Sequence, residues 1–82
     1  MIVTRTAREV KVDEDEYIEL IDWMAVCPEC QVYSVFSDEI GQLTRVGEYM
    51  DKYLDVQRRA MQADMALHGC THIIPELEPY PL

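Results

Sequence analysis

The sequence has little positive charge. Its 82 residues include seven Lys and Arg against sixteen Asp and Glu, a formal net charge of −9. Proteins that bind nucleic acid directly need a positive surface opposite the phosphates. The composition therefore argues against a nucleic-acid ligand and favours a protein partner, one with a basic surface.

Long apolar runs and the signatures of common enzymes are also absent. No run approaches the ~20 apolar residues that span a bilayer, and the N-terminus has no signal-peptide core. We therefore expect a soluble, cytoplasmic protein without a membrane partner. There is no glycine-rich phosphate loop, no Ser-His-Asp order and no His-Glu-x-x-His motif. We expect a binding protein and not an enzyme.

The length allows one small domain. A chain of this size buries only about 60% of its unfolded surface, so its core needs a metal, a partner subunit or very good packing. Apolar residues make up 49% of the chain, which is typical of a globular protein. We expect a single domain over residues 1–82, in which residues 73–82 form an extended, proline-containing tail.

The first third of the chain predicts a strand and then a short helix. β-branched residues alternate over residues 1–12, with Arg8 as the one misfit on that face. Asp13 has the position of a helix N-cap, and apolar residues repeat at helical spacing after it, up to Ala25. A strand is the alternative for this second segment, because alternation through it fails only at Asp22. We prefer the helix.

The second half predicts a short strand and one long helix. Residues 32–36 form a short apolar run, and Ser37 is a suitable N-cap for the helix that follows. The helix should cover residues 38–68 and end at Gly69. The whole pattern predicts an α+β, mostly helical fold: a short N-terminal strand, one short and one long helix, and a zinc knuckle holding them together.

The predicted length of the long helix has a geometric consequence. Thirty-one residues at 1.5 Å each give about 46 Å, which exceeds the width of a compact domain of this size. We therefore expect a break near Gly41 or Gly47, or a homodimer in which the helix packs against another copy.

All three cysteines fit one metal-binding pattern. Cys27 and Cys30 are separated by two residues, and Cys70 is followed two residues later by His72. Three thiolates and one imidazole are a usual set for structural Zn²⁺, although the gap of 39 residues is longer than in zinc fingers. His68 is the alternative fourth ligand. Ordinary buried cysteines without metal are the competing interpretation.

The segment Cys27-Pro28-Glu29-Cys30 also resembles the active site of thioredoxins and glutaredoxins. The resemblance covers these four residues and implies a small dithiol oxidoreductase. That fold needs the dithiol at a helix N-terminus after a parallel strand, within a βαβ pattern. Because one long helix occupies the place of that pattern, we rank this function third.

Negative charge is concentrated in one segment. Between Val12 and Thr44 there are nine acidic residues and no Lys or Arg, and the rest of the chain is neutral. The simplest interpretation is a solvated helix surface. Alternatively, regularly spaced carboxylates imitate a phosphate backbone and block the basic channel of a nucleic-acid-handling protein. The predicted partner-binding residues are Glu14, Asp15, Glu19 and Asp22.

In size, acidity and simple construction the chain is similar to small phage-encoded inhibitors of bacterial defence systems, such as anti-CRISPR proteins. The resemblance implies an acidic inhibitor that acts as a DNA mimic in a host cytoplasm. The alternative is a zinc-dependent adaptor or regulatory subunit that binds through the apolar face of the long helix. That face includes Met50, Met61 and Met65 with Tyr49 and Tyr53, and it is first of all a core face.

Overall fold

The computed structural model describes residues 1–81 of the chain. Three strands form one antiparallel sheet in the order β1-β2-β3, and two helices follow it. The elements are β1 Ile2–Asp13, β2 Glu16–Cys27, β3 Val32–Glu39, α1 Ile40–Val46 and α2 Met50–Leu67, with a 3-10 turn at Gly47–Tyr49 between the helices. None of the helices within residues 1–81 has the length and apolar character that crossing a bilayer requires.

The predicted mostly helical fold is wrong. The structure is about 40% strand and 35% helix, and its largest unit is the three-stranded sheet. The N-terminal strand lies where the sequence predicted it. The short helix predicted to begin after Asp13 is absent, and strand β2 occupies that segment.

β2 misleads because it is apolar on both faces. Its residues that point toward the helices are buried: Ile21, Trp23, Ala25 and Cys27. Its residues on the opposite face are mostly apolar too: Ile18, Leu20, Met24 and Val26. Apolar residues on both parities also fall three and four positions apart, which imitates a helical repeat. The backbone N–H and carbonyl groups of β2 form hydrogen bonds with β1 on one side and with β3 on the other. These bonds favour a strand over a helix for this segment.

Helices and tail cover one side of the sheet, which we call the inner face. Trp23 lies at its centre, stacks on Phe36 with 5.6 Å between ring centroids, and donates its indole N–H to the Glu78 carbonyl at 2.9 Å. The residues that bury themselves against this face are Leu43, Met50, Leu54, Met61, Met65, Cys70, Ile74 and Leu77. The methionine face of the long helix is therefore part of the protein's own core.

The long helix starts later than predicted and is broken. Ser37 is not an N-cap, because it lies within β3 and donates its hydroxyl to Asp22; α1 begins only at Ile40. The break predicted from helix length is present at Gly47, whose φ of 55° lies in the region that glycine tolerates best.

The end of α2 follows the sequence signal closely. Gly69 has a φ of 92°, and its N–H bonds to the Ala66 carbonyl at 3.1 Å. The Cys70 N–H bonds to the Met65 carbonyl at 2.9 Å. These two bonds form a Schellman motif, which ends the helix and turns the chain back. Cys70 is thereby placed, fully buried, at the first position after the turn.

The tail after Cys70 has no helix or strand through residue 81. Its last predicted residue, number 82, lies outside the described residues. Polar contacts hold the tail across the inner face: the Arg5 guanidinium donates to the Pro79 carbonyl and lies 5.6 Å from the Tyr80 ring centroid, and the Tyr80 hydroxyl is 3.2 Å from Glu19 Oε1. The tail is therefore a packed part of the domain.

Candidate metal centre

The first half of the site is the hairpin loop between β2 and β3. Cys27 ends β2 and pairs in register with Val32, the first residue of β3. The loop between them is closed by a hydrogen bond of 2.8 Å from the Gln31 N–H to the Cys27 carbonyl. Pro28 fits this tight turn because its φ is fixed. The turn brings Cys30 back beside Cys27, on the side of the sheet that faces the end of α2.

The second half of the site comes from the chain after α2. The Schellman motif places Cys70, and His72 follows two residues later. Gln62 on α2 fixes the chain at His72 and Ile74, because its Nε2 donates to the His72 carbonyl and its Oε1 accepts from the Ile74 N–H, both at 2.6 Å. No sequence signal pointed to Gln62, since a single glutamine on a helix is not distinctive.

The structure brings together the four residues that the sequence proposed as ligands, Cys27, Cys30, Cys70 and His72. One potential ligand atom from each lies within 4.8 Å of all the others. His72 Nδ1 is 3.3 Å from the sulfurs of Cys27 and Cys30 and 3.8 Å from that of Cys70. In a tetrahedral zinc site with ordinary bond lengths, a sulfur and a nitrogen ligand are about 3.6 Å apart. The distances from the imidazole nitrogen to the three sulfurs are therefore close to those of a tetrahedral metal site.

The environment of the thiols favours ionisation of one of them. Hydrogen bonding from the Cys30 backbone N–H, followed by contacts with the neighbouring thiols and His72, lowers the pKa of Cys27 to about 7. The neighbouring Cys27 in turn raises the pKa of Cys30 to about 11. Three thiols this close cannot all ionise without a compensating cation, because their negative charges repel one another. A divalent metal ion is such a cation.

Glu29 adds an outer contact to the cluster. Its Oε2 lies 3.4 Å from His72 Nε2, the ring nitrogen that points away from the three sulfurs. A carboxylate that accepts from the second nitrogen fixes the orientation and tautomer of a metal-binding histidine. The sequence signal for this contact is the position of Glu29 between the two cysteines of the hairpin loop.

The alternative ligand His68 lies elsewhere. It follows α2 directly, its side chain is 66% exposed, and its Nε2 is 3.9 Å from Asp64 Oδ1. It is not part of the group of four donors.

The predicted partner-binding carboxylates do not share one helical surface, because they lie on β2 and the turn before it. Glu14 and Asp15 form the exposed β1–β2 turn. Glu19 faces Tyr80 in the tail. Asp22 accepts from the Ser37 hydroxyl and from Arg8 Nε at 2.8 Å, and these contacts hold its pKa below the ordinary value. Glu14 and Asp15 alone are free of such internal contacts among the four, within the described chain.

Comparison with protein-family models, with curated proteins and with solved structures finds no match to this chain. The arrangement implied by the thioredoxin-like motif is not found within residues 1–81 either. Cys27 and Cys30 flank a loop between antiparallel strands and do not lie at a helix N-terminus.

Proposed function

We propose that this chain is a small zinc-dependent binding module, in which one structural Zn²⁺ is held by Cys27, Cys30, Cys70 and His72. The observation that carries the proposal is the convergence of four zinc-type donors, from two distant segments, within 4.8 Å. Three sulfurs and one imidazole nitrogen are a complete tetrahedral set.

The position of the site supports a structural role. The ion would connect the β2–β3 hairpin to the start of the tail, which then buries Ile74 and Leu77 against the sheet. A small domain with a limited core gains most from such a connection. A catalytic zinc keeps one coordination position for water or substrate, whereas four protein donors close the shell.

Metal analysis of the protein purified without a metal-binding tag tests this proposal. We expect one zinc per chain by elemental mass spectrometry. His72→Gln should lose most of the metal, because it removes one donor, and His68→Gln should retain it. Cobalt substitution gives a second readout, since tetrahedral thiolate coordination has intense visible absorption bands that the His72 variant should lack.

Protein that contains no zinc, or that retains zinc equally in both histidine variants, would contradict the proposed ligand set. A chelator that leaves the thermal unfolding curve unchanged would contradict the structural role, even if zinc were present.

A second candidate concerns what the module binds, and here we propose a protein partner with a basic surface. β1 and β2 extend beyond β3, which pairs with β2 only from Leu20 onward. Residues 9–19 thus form a projecting two-stranded hairpin, with six acidic residues and one basic residue. The exposed Glu14 and Asp15 lie at its tip. A concentrated, projecting charge accelerates association with an opposite charge and makes binding sensitive to salt.

The role of the hairpin tip in binding is tested by two double variants, each of which removes two negative charges. We expect the double variant Glu14→Gln/Asp15→Asn to capture less basic protein from a lysate than the native chain, and the difference to shrink as salt increases. The control is Glu48→Gln/Glu76→Gln, which removes the same charge from two other exposed positions. Equal loss in both variants would mean that total charge matters and the hairpin tip does not.

A further inference from the structure

The second side of the sheet, which we call the outer face, is not covered by any described part of the chain. It consists of the even-numbered residues of Ile2–Val10 and Ile18–Val26 and the odd-numbered residues of Tyr33–Glu39, which the strand register places side by side. None of its apolar residues belongs to the core or packs against it. The residues that the segment 40–81 contributes to the core all lie on the inner side of the sheet.

The outer face nevertheless exposes large apolar side chains of the kind that are usually buried. Ile2, Tyr33 and Val35 are 56%, 65% and 48% exposed, and they lie beside Met24 and Val26 at the end of the sheet near the metal centre. From Leu20 to Cys27 the central strand β2 has one polar residue. Near-continuous apolar strands are typical of sheets covered on both sides, whereas a sheet with a solvated face alternates apolar and polar residues.

The charge of the outer face differs sharply from that of the molecule. Its charged residues are Arg8, Asp22 and Glu39, a formal −1 out of the chain's −9, which leaves −8 elsewhere. Arg8 and Asp22 neutralise each other, since Nε and Oδ2 are 2.8 Å apart. Glu39 lies at the far end of β3. If two copies met on this face, most of their negative charges would lie outside the interface, so electrostatic repulsion between the copies would be small.

The dimensions are those of an open shape, to which both the projecting hairpin and the uncovered sheet contribute. The accessible surface is 5649 Å², whereas a compact monomer of this mass exposes about 5,100 Å². The radius of gyration is 13.9 Å, against about 12 Å for a compact domain of this length. Strand lengths and spacing give the outer face roughly 400 Å² in projection. Two such faces supply about 800 Å² before side-chain relief is counted, and that relief has to supply the rest of the ~1,000 Å² that a specific interface needs.

We propose that the outer face is a self-association surface, on which two copies of this chain stack sheet against sheet as a sandwich. Face-to-face sheets pack about 10 Å apart through interdigitating apolar side chains. A second copy fits because eight of the fourteen residues of the face are apolar and its net charge is nearly zero, while a basic partner would find almost no charge there. The proposal does not depend on zinc and concerns a surface that the projecting hairpin tip does not share.

Analytical ultracentrifugation over a concentration series tests the proposal on the full chain as purified. We expect the native mass to approach twice 9.6 kDa. Val35→Lys should shift the protein to 9.6 kDa, because it places a charge within the interface. Val56→Lys is the matched control, since Val56 is 59% exposed on α2, and it should remain dimeric. Circular dichroism verifies that both variants are folded.

Tyrosine labelling gives a second readout without mutation. Tyr33 on the outer face and Tyr49 in the turn between the helices are 65% and 62% exposed in one copy. In the dimer, Tyr33 should be protected from oxidative footprinting and Tyr49 should not, and dilution should remove the difference. A native chain that sediments at 9.6 kDa at every concentration, equal masses for the two valine variants, or equal labelling of the two tyrosines would each overturn the proposal.

Discussion

Gln31 closes the hairpin loop of the metal centre at the expense of backbone strain. Its φ of 56° is the one positive value for a residue other than glycine within residues 1–81. The left-handed conformation costs most residues about 1–2 kcal/mol. The conformation is needed because it directs the Gln31 N–H to the Cys27 carbonyl and returns the chain into β3.

We expect Gln31→Gly to stabilise the protein, by about 0.5–1 kcal/mol, because glycine removes the strain but loses more conformational entropy on folding. Gly69→Ala should do the opposite and cost about 1 kcal/mol or more, since alanine is strained at φ 92° although nothing crowds the added carbon. Urea unfolding of both variants measures the effects. Changes of the same sign would contradict the strain argument.

The hydroxyl of Tyr53, which packs against the core, makes the stability of the protein depend on pH. Its hydroxyl donates to Asp38, and burial, with Asp38 beside it, raises the pKa of Tyr53 from 10.0 to about 12. A group whose pKa is raised on folding contributes stability that is complete below its unfolded pKa and lost as the pH rises through the folded value. This contribution should therefore disappear between pH 10 and 12.

We expect Tyr53→Phe to cost about 1 kcal/mol at neutral pH, from the lost hydrogen bond. Its stability difference from the native chain should shrink once the pH exceeds 10 and be gone before pH 12 is reached. Spectrophotometric titration of tyrosinate gives the direct measurement, because the variant should lack the last step. A native titration without a step near pH 12 would contradict the assignment.

At the scale of elements, α2 contributes to stability through one face only. Met65 is fully buried, while Leu67, two residues later, is 84% exposed. Truncating a buried methionine removes apolar contacts and leaves a cavity, which costs about 2–5 kcal/mol. Truncating an exposed leucine in a helix costs little, because it touches little and alanine has the better helix propensity.

Met65→Ala should accordingly lower the free energy of unfolding by about 2–5 kcal/mol, and Leu67→Ala should change it by less than about 0.5 kcal/mol. Denaturant unfolding of the two variants gives the comparison. Similar losses in both would mean that the last turn of α2 is not packed as described.

The elements also show where sequence periodicity is and is not sufficient. The end of α2 was predictable because Gly69 is a local signal that acts through its own backbone. The sequence did not predict that β2 is a strand, because its two apolar faces fit both the helical and the strand periodicity. The choice between helix and strand depends on hydrogen bonds to β1 and β3. The break at Gly47 was one of two candidates, and local sequence did not distinguish it from Gly41.

At the scale of the whole molecule, the proposed zinc would connect the sheet to the tail that covers it. Structural zinc contributes about 10 kcal/mol or more to the folding of zinc-finger peptides. Even a third of that value would shift the Tm of a domain of this size by roughly 15–25 °C. The polar contacts of Arg5 and Tyr80 lie at the far end of the tail, so they do not join the β2–β3 hairpin loop to the start of the tail as the metal would.

Chelation should therefore lower the Tm of the native chain by roughly 15–25 °C. Cys70→Ser, which lacks one donor, should melt near the chelated native protein and show no further shift with chelator. Differential scanning calorimetry measures both. A Cys70→Ser variant that still responds to chelator would place the stabilising metal at other residues.

The sequence by itself determined the properties that short segments carry. The ligand types and their spacing, the concentration of acidic residues and the end of α2 each follow from neighbouring residues and their local chemistry. Tertiary structure decided what depends on distant segments meeting: that β2 is a strand, that His72 and not His68 joins the three cysteines, and that Glu19 and Asp22 are engaged internally. The physical reason is that strand pairing and ligand convergence are long-range contacts, whose geometry no local periodicity encodes.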